Sequence, residues 1–192
     1  MNAEPQPLKL KGQLLVAMPG MVDPRFARSV ILICAHSEEG SMGFVLNQPV
    51  VSPKLTEILD ELEVKEFNDS VAEKVIVFRG GPVEQGRGFV LHSLDYSTPS
   101  STRVGDLAGV TATLDALQRI ASDDPPESAL MLLGYAGWSS GQLEEEILQN
   151  GWLTTPATRD IIFNTPHPDQ YGAALASLGI SEELLSADSG HA

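Results

Sequence analysis

The short connections between the first strands restrict the fold of this chain more than any other feature. Three runs, Gln13 to Ala17, Ser29 to His36 and Met42 to Gln48, are predicted as strands because apolar residues of β-forming type dominate them. A loop from Pro19 to Pro24 and a Glu-Gly-Ser turn at residues 39 to 41 separate the runs. A parallel pair needs a crossover of roughly a dozen residues or more, usually a helix, so antiparallel pairing is expected here.

The rest of the chain interleaves helices and strands without an internal repeat. Apolar residues at helical spacing, together with caps and stops, predict four helices. The first begins at Ser52-Pro53, and the second extends from Leu107 to Ala121. The third begins with the capping box Ser139-x-x-Gln142 and stops at Asn150-Gly151, and the fourth follows Pro168 and ends at Gly179. Further strands are predicted at Lys74 to Arg79, Gly88 to His92 and Ser128 to Tyr135, the first two as a hairpin-like pair.

These elements predict a mixed, antiparallel-leaning α+β fold. One domain is expected over residues 12 to 185, because no change in composition marks a linker inside this range. Residues 1 to 11 are predicted to be a flexible lead-in and residues 186 to 192 a flexible tail.

The charge of the chain excludes several classes of protein. Its 192 residues include 26 acidic and 12 basic side chains, which give a formal net charge of −14. Such a field repels phosphate backbones, and the basic residues are scattered singly, so direct nucleic-acid binding is not expected. The apolar runs are far shorter than the roughly 20 residues of a membrane span, so no membrane contact is expected.

The cysteine and histidine content predicts neither a disulfide nor a metal site. The single cysteine, Cys34, is typical of a protein of the reducing cytoplasm. His36 lies two residues further along the same strand, but the apolar neighbours of Cys34 favour an unreactive core residue. No histidine has the spacing of a metal-binding motif, so no metal and no cofactor are predicted.

One segment has the pattern of a hydrolase nucleophile. Residues 137 to 141 match G-x-S-x-G between a predicted strand and a predicted helix, and Ser139 is followed along the chain by Asp160 and then His167, the order of an α/β-hydrolase triad. Ser139 is, however, also the expected capping residue of its helix, and the preceding strands lack the βαβ series of that fold. A structural cap is therefore favoured over a catalytic serine.

A glycine-rich segment with two arginines is a candidate anion site. Arg79, Gly80 and Gly81 precede Pro82, and Arg87 follows after a polar turn. Guanidinium groups and exposed backbone amides bind carboxylates and phosphates. The structural alternative, which is favoured, is a turn whose glycines supply positive φ and whose arginines pair with acidic residues.

The three consecutive glutamates Glu144 to Glu146 have a simpler explanation than a metal site. They fall in the first turns of a predicted helix, where the helix dipole stabilises negative charge. No ligand is inferred from them.

Four motifs in the same order resemble the AlgH/YqgE family of bacterial proteins, some of which carry the label of transcriptional regulator. The resemblance extends from about Gly12 to Gly179. The segments that carry it are Gly12 to Pro19 with Asp23 to Phe26, Met42 to Pro49, Gly80 to Val83 with Arg87-Gly88, and Gly134 to Trp138 with Gly141 to Glu144.

The resemblance implies a single α+β domain in which a bent, divided mixed sheet curls into a partial barrel flanked by helices. It implies no reaction, ligand or catalytic residue, and in this family the position of Ser139 is not reserved for serine. The family's regulatory label, combined with the acidic charge of this chain, suggests an indirect regulatory or partner-binding role.

Because the glycine- and aromatic-rich motifs fall at predicted strand ends, they are expected to form one binding cleft. The predicted cleft residues are Asn47, Arg79, Gly80, Gly81, Arg87, Tyr135, Trp138 and Gln142. A protein partner or a small anionic ligand is the expected occupant. The alternatives are a serine hydrolase that uses Ser139 and a DNA-binding transcriptional regulator.

Overall fold

A nine-stranded sheet forms the centre of the computed structural model, which describes residues 8 to 188. The strands are β1 (Gln13–Ala17), β2 (Val30–Ser37), β3 (Gly40–Val45), β4 (Val77–Arg79), β5 (Val83–His92), β6 (Thr102–Val104), β7 (Ala108–Thr111), β8 (Ala129–Ser139) and β9 (Trp152–Pro156). Their order is β6-β7-β5-β8-β3-β2-β1-β9, and β4 also pairs with β8. The β4–β8 pair is parallel, whereas the other pairs of strands are antiparallel.

Short helices cover the sheet. They are α1 (Leu55–Glu61), α2 (Asp69–Ala72), α3 (Leu114–Ile120), α4 (Gln142–Leu148), α5 (Gln170–Ser177) and α6 (Glu182–Asp188). Helices of this length are not stable alone in water, so their stability comes from the apolar faces that they bury. None of the helices between residues 8 and 188 has the length and apolar character that a bilayer-spanning helix requires.

The antiparallel pairing predicted for the first three strands is confirmed. β1 pairs with β2, with Leu15 opposite Ile31, and β2 pairs with β3, with Ile31 opposite Val45. A bulge between Ile33 and Ala35 shifts the register of the second pair. Both faces of these strands are buried, as the uninterrupted apolar run in β2 predicted.

The sheet is divided at Gly134, in the middle of β8. Before this glycine, β8 pairs with β4 on one edge, and after it the same edge pairs with β3. Gly134 has a φ of 71°, in the left-handed region that favours glycine. β8 therefore turns at this point and passes from one half of the sheet to the other.

A close approach of two backbone segments holds this division together. A Cβ atom on Gly80 would lie 2.3 Å from the carbonyl oxygen of Gly134, and one on Gly81 would lie 2.1 Å from the carbonyl carbon of Tyr135. The Gly80 amide donates to Leu133, and the Gly80 carbonyl accepts from Val45 at 2.8 Å. Only glycine fits at Gly80 and Gly81, because any side chain would collide with the backbone of β8.

The curled sheet encloses a core that α5 completes. This largest cluster joins apolar residues from each of the strands β1 to β8 to Tyr171, Ala174 and Leu175 of α5. On the outer surface, one half of the sheet packs against α4 through Leu143, and the other half packs against α1 and α3. The predicted fold, a single α+β domain with a bent, divided sheet curled into a half-barrel flanked by helices, is confirmed.

Three details of the predicted elements were wrong. β4 and β5 do not form a hairpin, because they pair with opposite edges of β8. The segment predicted as a helix from Leu107 begins instead with β7, whose Gly109 leaves room for the buried ring of His92, and the helix starts at Leu114. α1 is capped at Lys54, whose amide donates to Glu57, and not at Ser52.

The predicted ends of the domain also differ from the structure. Leu10, placed in the flexible lead-in, is buried in the apolar cluster beneath α4. The tail expected from residue 186 overlaps α6, which continues to Asp188. The remainder of the lead-in, residues 1 to 7, and of the tail, residues 189 to 192, lie outside the described residues.

Substitution of Gly81 tests the close backbone contact. We expect Gly81→Ala to lower the free energy of unfolding by about 3 kcal/mol or more, because the added methyl group must displace the β8 backbone. At Gly86 a Cβ atom would meet no other atom within 4 Å, so Gly86→Ala is the matched control, with an expected change below about 1 kcal/mol. Urea unfolding measures both values, and equal stabilities would contradict the close contact.

Candidate functional site

The structure brings three of the predicted segments close to one another, namely the Asn47-Gln48 segment, the glycine-rich segment at Arg79 to Gly81 and the end of β8. The Arg79 amide donates to the carbonyl of Gln48 at 2.8 Å, which joins the Asn47-Gln48 segment to the glycine-rich segment. Gly81 then packs against the backbone of Tyr135, and Trp138 follows three positions later in β8. The strand-end motifs therefore lie on one region of the surface.

Three of the predicted cleft side chains are used in local structure. The amide of Asn47 accepts a hydrogen bond from the Val30 backbone at 3.0 Å and donates one to the Arg28 carbonyl at 2.9 Å, so it fixes the start of β2. Arg87 pairs with Glu84 and lies over the ring of Phe89. Tyr135 packs with its ring edge against the same phenylalanine.

The other side of this region contains a cavity of about 530 Å³, which we call the aromatic cleft. It lies between the loop after β1, the start of β5, the end of β8, and α4 with the start of β9. Its lining includes Trp138 and Gln142 from the predicted set, and the full lining is Gly20, Met21, Val22, Asp23, Arg25, Phe26, Pro82, Val83, Gly137, Trp138, Gln142, Glu146, Gln149, Asn150, Gly151 and Trp152.

The cleft exists because one edge of β8 has no strand beside it. β5 begins at Val83, which is paired with Tyr135, so the following residues of β8 have β3 on one edge only. Gly137 is exposed on this open edge. The loop of residues 20 to 26 and α4 form the two walls of the cleft on either side of it.

One carboxylate positions both tryptophans of the chain. Glu146 Oε2 accepts hydrogen bonds from Trp138 Nε1 at 3.0 Å and from Trp152 Nε1 at 2.8 Å, and Glu146 Oε1 accepts one from Gln142 at 3.0 Å. The two indole rings meet at 81°, with 6.3 Å between their centroids. Sequence reasoning missed the role of Glu146, because the helix dipole was a sufficient explanation for an acidic residue at this position.

Glu144, two residues earlier on α4, contacts the sheet in a similar way. Its Oε1 lies 3.4 Å from His36 Nε2, and His36 Nδ1 lies 2.8 Å from the hydroxyl oxygen of Ser41. Leu143, which precedes Glu144, is fully buried. The acidic residues of α4 thus attach this helix to two places on the sheet.

Asp23 and Arg25 shape the other wall of the cleft. Asp23 caps the short turn Pro24–Phe26, and its carboxylate accepts from Nε and Nη2 of Arg25, the latter at 2.6 Å. The hydrogen bonds from Arg25 lower the pKa of the Asp23 carboxyl group. Phe26 packs against Trp152 in a T-shaped contact, so this loop is also held against the tryptophan pair. In the sequence, the motif Asp23 to Phe26 was the feature that could have indicated this wall of the cleft.

A smaller cavity of about 30 Å³, which we call the recess, adjoins the aromatic cleft. The two cavities share Arg25, Phe26 and Pro82. The remaining residues of the recess are Val45, Gln48, Arg79, Gly81 and Gln85. Arg79 and Gly81 of the predicted site are therefore placed here, while Gly80 lies behind them in the contact with β8.

The structure gives no support to the triad hypothesis of Ser139, Asp160 and His167. The Ser139 hydroxyl donates to Gln142, and Asp160 accepts from Asn164. The ring of His167 packs on Phe78, which pairs with Leu132 in the half of β8 before Gly134, whereas Ser139 ends the half after it.

The capping role expected for Ser139 is also corrected. The N-cap of α4 is Gly141, with a φ of 74°, and Ser139 is the last residue of β8. Gln142 accepts from the Ser139 amide at 3.0 Å, so one half of the predicted capping contact is present. Asn150 has a φ of 57°, in agreement with the predicted stop after α4.

Cys34 is a core residue, as its apolar neighbours predicted. It belongs to the cluster inside the curled sheet and is only 5 % exposed. Burial raises the pKa of its thiol from 9.0 to about 12. The thiolate, which is the reactive form, is therefore scarce at neutral pH.

Comparison with known proteins shows what this chain is similar to. An AlgH-like family model matches residues 14 to 183. A UPF0301 protein of Sinorhizobium medicae is 52 % identical over 188 residues, which cover 95 % of this chain and 93 % of the relative. A UPF0301 protein of Methylocella silvestris is 52 % identical over 190 residues, which cover 95 % of this chain and 92 % of the relative.

Two solved structures share the fold. The solution structure of the AlgH protein from Pseudomonas aeruginosa has a TM-score of 0.79 and 40 % identity, and the match covers 100 % of both chains. A crystal structure of a protein from Corynebacterium diphtheriae has a TM-score of 0.62 at 24 % identity over 91 % of this chain and 88 % of the other. The second likeness concerns the fold alone.

Removal of the Glu146 carboxylate tests its role between the tryptophans. We expect Glu146→Ala to cost about 2 to 3 kcal/mol, because two buried indole N–H groups lose a charged acceptor. The neighbouring Glu145 bonds to Gln149 on the surface, so Glu145→Ala should change stability by less than about 0.5 kcal/mol. Urea unfolding followed by tryptophan emission gives both values, and a loss in Glu146→Ala no larger than in Glu145→Ala would contradict this role.

The thiol of Cys34 gives a separate test of the core. We expect an aromatic disulfide reagent at about pH 8 to leave the native chain unlabelled, because the thiol is buried and protonated. In concentrated urea the single thiol should react fully. Absorbance of the released thiolate measures labelling, glutathione controls for the reagent, and rapid labelling of the native chain would refute the buried position.

Proposed function

This chain belongs to the AlgH-like family, as its four motifs predicted, and we propose that it is a cytoplasmic regulatory protein that recognises a ligand in the aromatic cleft without contacting DNA. The observation that carries the proposal is that the two tryptophans of the chain line one cavity and share one carboxylate. A hydrogen-bonded aromatic pair of this kind gives a cavity rigid walls, which lowers the entropic cost of binding.

The size and lining of the cleft favour a small ligand. Its volume of about 530 Å³ falls within the range of roughly 300 to 1,000 Å³ that is usual for small-molecule sites. Met21, Phe26 and Val83 contribute apolar surface, and Gln142 and Gln149 contribute amide groups. Such sites combine apolar walls with a few fixed polar groups that orient the ligand.

The chemistry of the lining supports binding over catalysis. Among the lining residues there is no serine, threonine, cysteine, lysine or histidine. The charged members Asp23 and Arg25 bond to each other, and the Glu146 carboxylate accepts three hydrogen bonds. A general base must be free to take a proton from its substrate, and these groups are already engaged.

The distribution of charge supports a role without direct DNA contact. The net charge is −14, and five of the seven arginines form ion pairs, namely Arg25, Arg28, Arg87, Arg103 and Arg119. Phosphate binding requires basic groups whose charge is not already neutralised. The single buried cysteine agrees with the reducing cytoplasm as the place of action.

Ligand capture tests this function. We expect the chain, mixed with a bacterial metabolite extract and separated by gel filtration, to retain one or more small molecules that mass spectrometry identifies after denaturation. Gly137→Leu should abolish retention, because a side chain grown from this exposed lining position extends past Tyr135 and Val83 into the cleft. Gly86→Leu, at an open position outside the cleft lining, should retain the same molecules.

Two results would contradict the proposal. One is that no molecule is retained by the native chain. The other is that both glycine variants retain the same molecules to the same extent, since the site of binding would then lie elsewhere. Circular dichroism confirms that each variant is folded before capture is compared.

A further inference from the structure

Arg79 differs from the other arginines because it lines a cavity without having an ion-pair partner among the described residues. Within residues 8 to 188, only Arg79 and Arg159 lack a carboxylate within bonding distance, although the chain has 26 acidic residues. The Arg79 side chain is exposed at the end of β4 and lines the recess. Its backbone is fixed by the hydrogen bond to Gln48 and by the pairing with Leu133. The guanidinium group is therefore a charged donor on a rigid support.

The recess has the composition of an anion site. Arg79 and Arg25 both line it, and its lining contains no acidic side chain. Asp23 holds Arg25 through Nε and Nη2, which leaves Nη1 without an acceptor among the described residues. Glu84, the nearest acidic residue along the chain, pairs with Arg87. The recess thus keeps a net positive charge in a strongly acidic protein.

Two glutamine amides beside the arginines donate to neighbouring backbone and hydroxyl groups. Gln48 donates to the Arg25 carbonyl at 3.0 Å and to the Ser29 hydroxyl at 2.9 Å, which fixes the backbone of Arg25 beside the recess. Gln85 donates to the Pro82 carbonyl at 3.3 Å. The charged donors of the recess are those of the guanidinium groups, whose planar geometry matches anions such as carboxylates.

The recess is small and opens beside the cleft. A volume of about 30 Å³ accommodates roughly two water-sized groups, which is the size of the two oxygens of a carboxylate. Arg25, Phe26 and Pro82 belong to both cavities, so one molecule can occupy them together. Glu146 is absent from the recess lining, and its charge is balanced by three hydrogen bonds on the α4 side of the cleft.

We propose that the ligand of the aromatic cleft is a small organic anion, whose apolar body lies in the cleft and whose acidic group enters the recess, where Arg79 supplies the positive charge and Arg25 Nη1 a further hydrogen bond. This inference rests on the proposed function and specifies the chemical class of the ligand. Arg87, which the sequence suggested as a second anion-binding residue, has no part in it because Arg87 lines neither cavity.

Binding of two fluorescent probes distinguishes the hypothesis of an anion site from that of the aromatic cleft. 1-Anilinonaphthalene-8-sulfonate carries an aromatic body and an acidic group, and N-phenyl-1-naphthylamine has the same body without the charge. Both tryptophans line the cleft, so energy transfer from tryptophan reports binding of either probe. We expect both probes to bind. Arg79→Gln should lower the affinity for the anionic probe by about fivefold and leave the affinity for the neutral probe unchanged.

Arg159→Gln is the matched control, because Arg159 is also exposed and unpaired among the described residues but lies outside both cavities. It makes the same change in net charge and should leave both affinities unchanged. Added salt should lower the affinity for the anionic probe alone.

If the neutral probe binds and Arg79→Gln lowers the affinity for the anionic probe no more than Arg159→Gln does, the anion site is refuted while the cleft stands. If neither probe binds, the cleft and the anion site are both refuted.

Discussion

The close contact between the Gly80-Gly81 backbone and the Gly134-Tyr135 backbone is the constraint on which the rest of the structure depends. At this point β4 ends, β8 changes its partner from β4 to β3, and β5 begins one residue beyond Pro82. Because β5 starts only at Val83, the last residues of β8 are left with an open edge. The same contact that divides the sheet therefore creates the space that the cleft occupies.

Charge in this molecule serves mainly to position other groups. Glu144 contacts His36 on the sheet, Glu146 holds two indole rings, and Asp23 orients Arg25. A buried or half-buried carboxylate is stable only when hydrogen-bond donors compensate for the lost water. The large acidic excess thus includes residues with specific structural roles, and Arg79 is noticeable because its own charge has no such assignment among the described residues.

Local pattern in the sequence predicted the elements whose partners are near in the chain. β1 to β3 and α5 were correct to within one or a few residues, because apolar spacing and glycine stops act over a single element. β4 and β5 were wrongly paired, since β8, which separates them, comes about forty positions later.

The candidate site was predicted only in part, because it too depends on contacts between segments that are distant in the chain. Trp138, Gln142 and the Arg79 to Gly81 segment were identified at strand ends, whereas Glu146 and Trp152 gain their role only when α4 packs against both β8 and β9.

The shared oxygen of Glu146 also has a mechanical consequence. Trp138 belongs to β8 in the middle of the sheet, and Trp152 is the first residue of β9 at its outer edge. One atom thus couples two strands that β3, β2 and β1 separate in the sheet. The bridge through Glu146 therefore fixes the tryptophan wall of the cleft from both strands at once, so neither indole can turn away from the cleft without losing its bond to this carboxylate.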